Sequence, residues 1–160
     1  MSLPADFGAD FAADFIGAKL LLTCGDRLLT ALRDDYDWIP FPAHWDLPGG
    51  GAEPGETPLQ CVLRELDEEF GLRLPPERLK GRAFASVTPP GRQSWFFWGR
   101  ITPAEIAAIR FGDEGQGWQM MPVTEFIAHP RAVPHFRDRV ALVLGLSAAT
   151  SAPADPGSGP

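Results

Sequence analysis

Cysteine is scarce in this chain: Cys24 and Cys61 are the only two in 160 residues. They form no CxxC pair, so neither a zinc ribbon nor a disulfide scaffold is expected, and both thiols should be reduced. Positive charge is also in deficit, with 14 Lys and Arg against 21 Asp and Glu, a formal net charge of −7. Such a chain is a poor coat for a nucleic-acid backbone or an anionic membrane. A small anionic ligand stays compatible, because a bound metal inverts the local field. No apolar run approaches the ~20 residues of a membrane span, and the first residues lack the basic-then-apolar order of a secretory signal. These absences predict a cytoplasmic protein with no membrane and no nucleic-acid partner. No internal repeat is visible.

What is present is an ordinary globular composition, 44% hydrophobic and 22% charged, at a length that favours one core. Residues 1–11 read as a flexible arm, 12–146 as the domain, and 147–160 (SAATSAPADPGSGP) as a disordered tail, small, polar and rich in proline. Within the domain, Lys19–Thr23 reads as a strand, Gly25-Asp26 as a turn and Arg27–Leu32 as the return strand. Asp34–Ala43 reads as a loop, and Trp45–Leu47 as a short strand entering a glycine loop at Pro48–Gly51. Two further strands are predicted over Gly81–Val87 and Ser94–Ile101 and another over Gly117–Met121. Short and long helices are predicted over Pro103–Ile109 and Pro134–Leu146. Strands and helices mix without regular βαβ alternation, which points to an α/β (α+β) sandwich of helices on a mixed sheet.

The most informative stretch is residues 50–72, GGAEPGETPLQCVLRELDEEFGL. Thr57 is an N-cap candidate, Pro58 suits the first helical position, Gln60 completes a capping box, and Gly71 is a natural stop. Leu59, Val62, Leu63, Leu66 and Phe70 recur at helical spacing and define a buried stripe. Glu65, Glu68 and Glu69 fall together off that stripe. On an arbitrary helix such a trio is a solvated face. Three carboxylates that close repel one another unless a cation sits among them, so beside a glycine loop they suggest a hard divalent metal and a phosphate-bearing ligand.

Gly50, Glu56, Arg64, Glu65, Leu66, Glu68, Glu69, Gly71 and Leu72 together resemble, without departure, the Nudix box, the signature of the Nudix hydrolase (MutT-like) family. The flanking segments fit over about 17–146. The resemblance implies a Nudix-type α/β/α sandwich, hydrolysis of a nucleoside diphosphate linked to another group, and Mg2+ or Mn2+ as cofactor. It implies Glu65, Glu68 and Glu69 as metal ligands, with the Gly49 carbonyl as an extra one. Arg64 would brace a carboxylate and Glu56 would hold the loop. Many family members carry a glutamate well downstream, before an aromatic residue. Asp113-Glu114-Gly115-Gln116-Gly117-Trp118 resembles that arrangement and makes Glu114 a candidate base or metal ligand. Glu65 or Glu68 acting through a metal-bound water is the competing assignment.

The substrate is less legible. Gly50, Gly51, Arg33, Trp45 and Trp95 are the candidate substrate contacts, with Phe41, Phe97, Trp118, Arg92 and Arg100 as further options among aromatics that are mostly expected in the core. Pro89 and Pro90 lie near, but not on, the position that marks ADP-ribose subgroups, and the single tyrosine, Tyr36, precedes the box. The reading is a nucleoside triphosphate or ADP-ribose-like small molecule rather than a dinucleoside polyphosphate, with a homodimer allowed. Two rivals are a nucleotide-sensing module that does not cleave, which usually has a broken box, and a prenyl diphosphate isomerase, which needs cysteine chemistry that Cys61 does not evidently supply.

Overall fold

The computed structural model describes residues 15–87, 89 and 91–146. The expected arm at 1–11 and tail at 147–160 lie outside the described residues. Among the described residues seven strands form one mixed sheet: β1 (Phe15–Cys24), β2 (Arg27–Leu32), β3 (Trp45–Asp46), β4 (Gly49–Gly51), β5 (Lys80–Ala85), β6 (Gln93–Arg100) and β7 (Gly117–Pro122). Among the described residues four α-helices accompany them: α1 (Pro58–Phe70), α2 (Pro103–Ala107), α3 (Val123–Ala128) and α4 (Pro134–Val143). Among the described residues no helix is long and apolar enough to cross a membrane.

β1 is the spine. It runs parallel to β6 from Phe15 to Thr23, and its other edge is shared. Thr23 and Cys24 pair with β2, whereas Gly17, Ala18 and Lys19 pair antiparallel with Gly51, Gly50 and Gly49 of β4. The predicted glycine loop is therefore partly a strand. Its backbone is recruited because β1 starts at Phe15, four residues earlier than the sequence pattern indicates. Leu20, Leu21 and Leu22 are all fully buried, as expected for a strand covered on both faces. Leu20 and Leu22 join Leu29, Trp95 and Phe97 under α1, while Leu21 joins Leu28, Phe96 and Met121 under α3 and α4. The result is a three-layer α/β/α sandwich.

α1 forms as its sequence dictates. Thr57 accepts from the Gln60 amide and the Gln60 side chain accepts from the Thr57 amide, so two orphan donors are satisfied reciprocally. Gly71 takes the left-handed conformation at φ 66° and ends the helix. Val62, Leu66 and Phe70 are fully buried on the sheet, each worth roughly 1.5–3 kcal/mol. Cys61 is buried there as well, whereas Leu59 and Leu63 are only half-buried at the rim. The sequence pattern misses α3, whose six residues are too short to show a period.

Candidate active site

α1 packs its buried stripe on the sheet, which turns Arg64, Glu65, Glu68 and Glu69 toward β4 and the 111–116 loop. Arg64 is the hub. Its Nε donates to Glu56 Oε2 at 2.5 Å and its Nη2 to Glu56 Oε1 at 3.1 Å and to the Gly51 carbonyl at 2.9 Å. Its Nη1 reaches Glu65 Oε2 at 3.3 Å and Glu68 Oε1 at 3.1 Å. One guanidinium thus ties the loop, the glycine strand and the helix together, using a planar fork that lysine lacks. Glu56 also accepts from the Glu53 amide, closing the loop's turn. The Arg64 hydrogen bonds hold the Glu56 carboxyl below its ordinary range.

Glu65 and Glu69 behave differently. Burial pushes both carboxyls upward, Glu69 to about 8, and each feels the other or a further carboxylate as a repulsion. Glu69 Oε1 accepts from the Gly49 amide at 2.9 Å. Gly50 leaves room for Glu65: a Cβ there would lie 2.5 Å from Glu65 Oε2. Glu68 is 57% exposed and leans toward Arg64. Glu53, Asp113 and Glu114 complete the wall of this acidic cleft. The 111–116 loop is brought there by the Gly112 amide, which bonds the Glu69 carbonyl at 2.9 Å, and by the Gly115 amide on Asp34.

The donor set is all oxygen and carries excess negative charge, which suits a hard divalent cation. Two details differ from the sequence expectation. Among the described residues no three ligating side chains stand close enough together to hold a metal as they are placed, because Arg64 draws Glu68 outward. The Gly49 carbonyl already accepts from Lys19 Nζ at 3.2 Å. Glu65 and Glu69 face this cleft from α1, while Glu68 is turned toward Arg64.

β4 also walls a second cleft of about 380 Å³ on the α4 side, lined by Gly50, Gly51, Lys19, Arg33, Phe41 and Arg139 among others. Arg33 is placed here, bonded to Asp46 Oδ2 at 2.8 Å and to the Pro40 carbonyl. Lys19 shares the same Asp46 oxygen at 3.0 Å. Asp46 is only 5% exposed, so this ion triad is organised rather than surface decoration.

Trp95 is not in either cleft. It is 2% exposed and stacks on Phe97 under α1, and strand alternation gives the cleft-facing position to Ser94 instead. Trp45 lines neither cleft: its backbone bonds Arg131 and Val133, anchoring the segment before α4, and its side chain packs on the second core. Lys19, Asp46, His135 and Arg139, all of which line the second cleft, were not anticipated. Lys19 had a signal, as the one charge in a leucine strand, and so did Asp46, just before the glycines; the α4 residues had none.

The family model described as NUDIX domain matches residues 16–142. The chain belongs to the Nudix hydrolase family. Over 113 residues it is 32% identical to the RNA pyrophosphohydrolase of Tolumonas auensis, covering 56% of this chain and 64% of that protein's length. In fold it resembles the MutT protein of Methanosarcina mazei, with a TM-score of 0.64 and 21% identity over 80% of this chain and 91% of that one. It also resembles a bifunctional NMN adenylyltransferase/ADP ribose pyrophosphatase from Francisella tularensis, solved with AMP and a Mn ion, with a TM-score of 0.62 and 21% identity over 88% of this chain and 46% of that one.

Proposed function

We propose that this chain, acting as one domain over 12–146, hydrolyses a pyrophosphate linkage in a nucleoside diphosphate linked to another group, with Mg2+ or Mn2+. The observation that carries this reading is the pairing of two clefts across one glycine strand. Glu65 and Glu69 lie on one side of β4, and a nucleoside-sized cleft with Lys19, Arg33 and Arg139 lies on the other. A pyrophosphate over Gly50 and Gly51 would reach both. A divalent cation held by Glu65, Glu69 and a released Glu68 would neutralise phosphoryl oxygens and lower the pKa of a bound water.

The chain's own residues supply the positioning. Arg64 and Glu56 fix the loop against α1, and Gly50 leaves room for the Glu65 carboxylate beside β4. Glu114, exposed on its anchored loop, is the candidate proton acceptor or further ligand, in competition with Glu65 or Glu68; reach decides before pKa does. The substrate is a small nucleotide, a nucleoside triphosphate or ADP-ribose-like molecule. The name of the Tolumonas relative raises RNA 5′ ends as a second substrate, which the net charge of −7 disfavours for extended contacts. The deciding experiment is phosphate release from (d)NTPs, ADP-ribose, dinucleoside polyphosphates and 5′-triphosphate RNA with Mg2+ and Mn2+. Binding without release from any of them would instead mark a sensing module. Size-exclusion with light scattering tests the homodimer.

Arg64→Ala is expected to lower kcat/KM about 10–100-fold, the usual effect of removing a residue that orients ligands. Arg64→Lys should recover little, because one ammonium cannot span Glu56, Gly51 and Glu68 together. Full activity in the lysine variant would refute the positioning role.

A further inference from the structure

Arg139 has no role in the chemistry described above, yet it is buried where a charge is costly. It is 7% exposed. Its Nη1 donates to Ser94 Oγ at 3.1 Å and its Nη2 to the Ala85 carbonyl at 3.2 Å. Its guanidinium carbon lies 4.8 Å from the Phe84 ring centroid and 5.7 Å from that of Phe136. Among the described residues no carboxylate pairs with it, in contrast to Arg33 and Lys19, which share Asp46. Burial alone lowers its pKa. A guanidinium stays charged nonetheless, and a desolvated charge without a counter-ion is expensive. The side chain lines the second cleft, so a ligand there can bring it an acceptor.

The chemistry of that partner follows from the donor count. Guanidinium offers five N–H groups in a fixed plane and accepts nothing. Two bonds go to Ser94 and Ala85, which fix the fork and leave further donors. A ligand edge facing it must therefore accept. Nucleobases divide on this point: guanine presents O6 and N7 as acceptors and thymine presents O4, whereas adenine and cytosine present an amino group there. The Phe41 and Phe136 rings add apolar wall to the same cleft, where a planar base can pack. The pyrophosphate of the proposed reaction, held over β4, would direct its nucleoside this way.

We propose that Arg139 is the specificity-determining residue of the second cleft, reading the carbonyl edge of a keto base, so that 6-oxopurine nucleotides are favoured over 6-aminopurine ones. The inference rests on the proposed nucleotide pyrophosphohydrolysis, and it selects within it: adenine-containing substrates, ADP-ribose included, become the poorer ones.

Inosine and adenosine nucleotides differ at the 6-position, so they isolate the contact. In the full chain kcat/KM for ITP should exceed that for ATP by about 10-fold or more, and UTP should exceed CTP in the same sense. IMP should bind more tightly than AMP by a similar factor in calorimetry, a readout that needs no turnover. Arg139→Gln, whose amide both donates and accepts, should bring the ITP/ATP ratio of kcat/KM to within about 3-fold of unity. Equal use of ITP and ATP by the unaltered protein overturns the proposal whether or not the variant folds. A variant that weakens every nucleotide equally also overturns it, since Arg139 would then hold a phosphate or the fold. If no nucleotide is cleaved with either metal, the hydrolase reading fails, and the IMP/AMP ratio still decides the base contact.

Discussion

Glu69→Gln is expected to reduce turnover by roughly three orders of magnitude or more while preserving the fold. The amide keeps the shape and can still accept from the Gly49 amide, so the packing around β4 survives. It loses the negative charge on which a divalent cation depends. Near-normal rates with every substrate of the panel would show that Glu69 is not a metal ligand. The same variant has a stability signature. Without metal, burial lifts the Glu69 carboxyl from 4.5 to about 8. Between those values the folded protein keeps a proton that the unfolded chain has lost. Stability contributed by that proton is present in full below pH 4.5, falls as pH rises, and levels off above 8. The metal-free melting temperature should accordingly decline from about pH 5 to 8. In Glu69→Gln that decline should flatten, and the variant should melt above the parent at pH 8. Divalent cation should restore the parent, because it stabilises the ionised carboxylate. An unchanged pH slope in the variant would assign the decline to another group.

Gly49→Ala is expected to cost on the order of 3 kcal/mol or more of folding stability, an effect reserved for strained or clashing substitutions. Gly49 has φ +131°, a conformation that L side chains rarely adopt. An added Cβ would lie 2.1 Å from the Ala18 carbonyl oxygen and 2.8 Å from the Lys19 Cα, both backbone atoms of β1 that cannot yield. Relief would require breaking the β1–β4 pairing that supports both clefts. Gly50→Ala is the control. The nearest atoms to its Cβ are those of the Glu65 carboxylate, the far end of a flexible side chain, so stability should change little while activity falls with Glu65 displaced. Denaturant midpoints at constant m separate the two. A Gly49→Ala protein within about 1 kcal/mol of the parent would mean that β4 is not held as described.

The placement of Glu65 and Glu69 on one face of α1 was largely legible beforehand, because everything that orients them is local. Thr57, Pro58, Gln60 and Gly71 fix where α1 begins and ends, and its apolar stripe fixes which face the sheet takes. Those interactions span three or four residues, and helical periodicity displays them directly. The β1–β2 hairpin was readable for the same reason. Trp95 was misplaced because a strand's two faces alternate residue by residue, and only its pairing with β1 and the packing of α1 decide which face is inside.

The sequence by itself determined the hydrolase family, the acidic face and its caps. The tertiary structure alone decided that Gly49–Gly51 becomes a strand, that Lys19 and Arg33 meet on Asp46, and that Arg139 reaches Ser94 across 45 residues of chain. Each of those depends on sheet register and on where α4 lands on the second core. Contacts of that range leave no period in the sequence, and so the carboxylate cleft could be read from the chain whereas the second cleft, on the α4 side, could not.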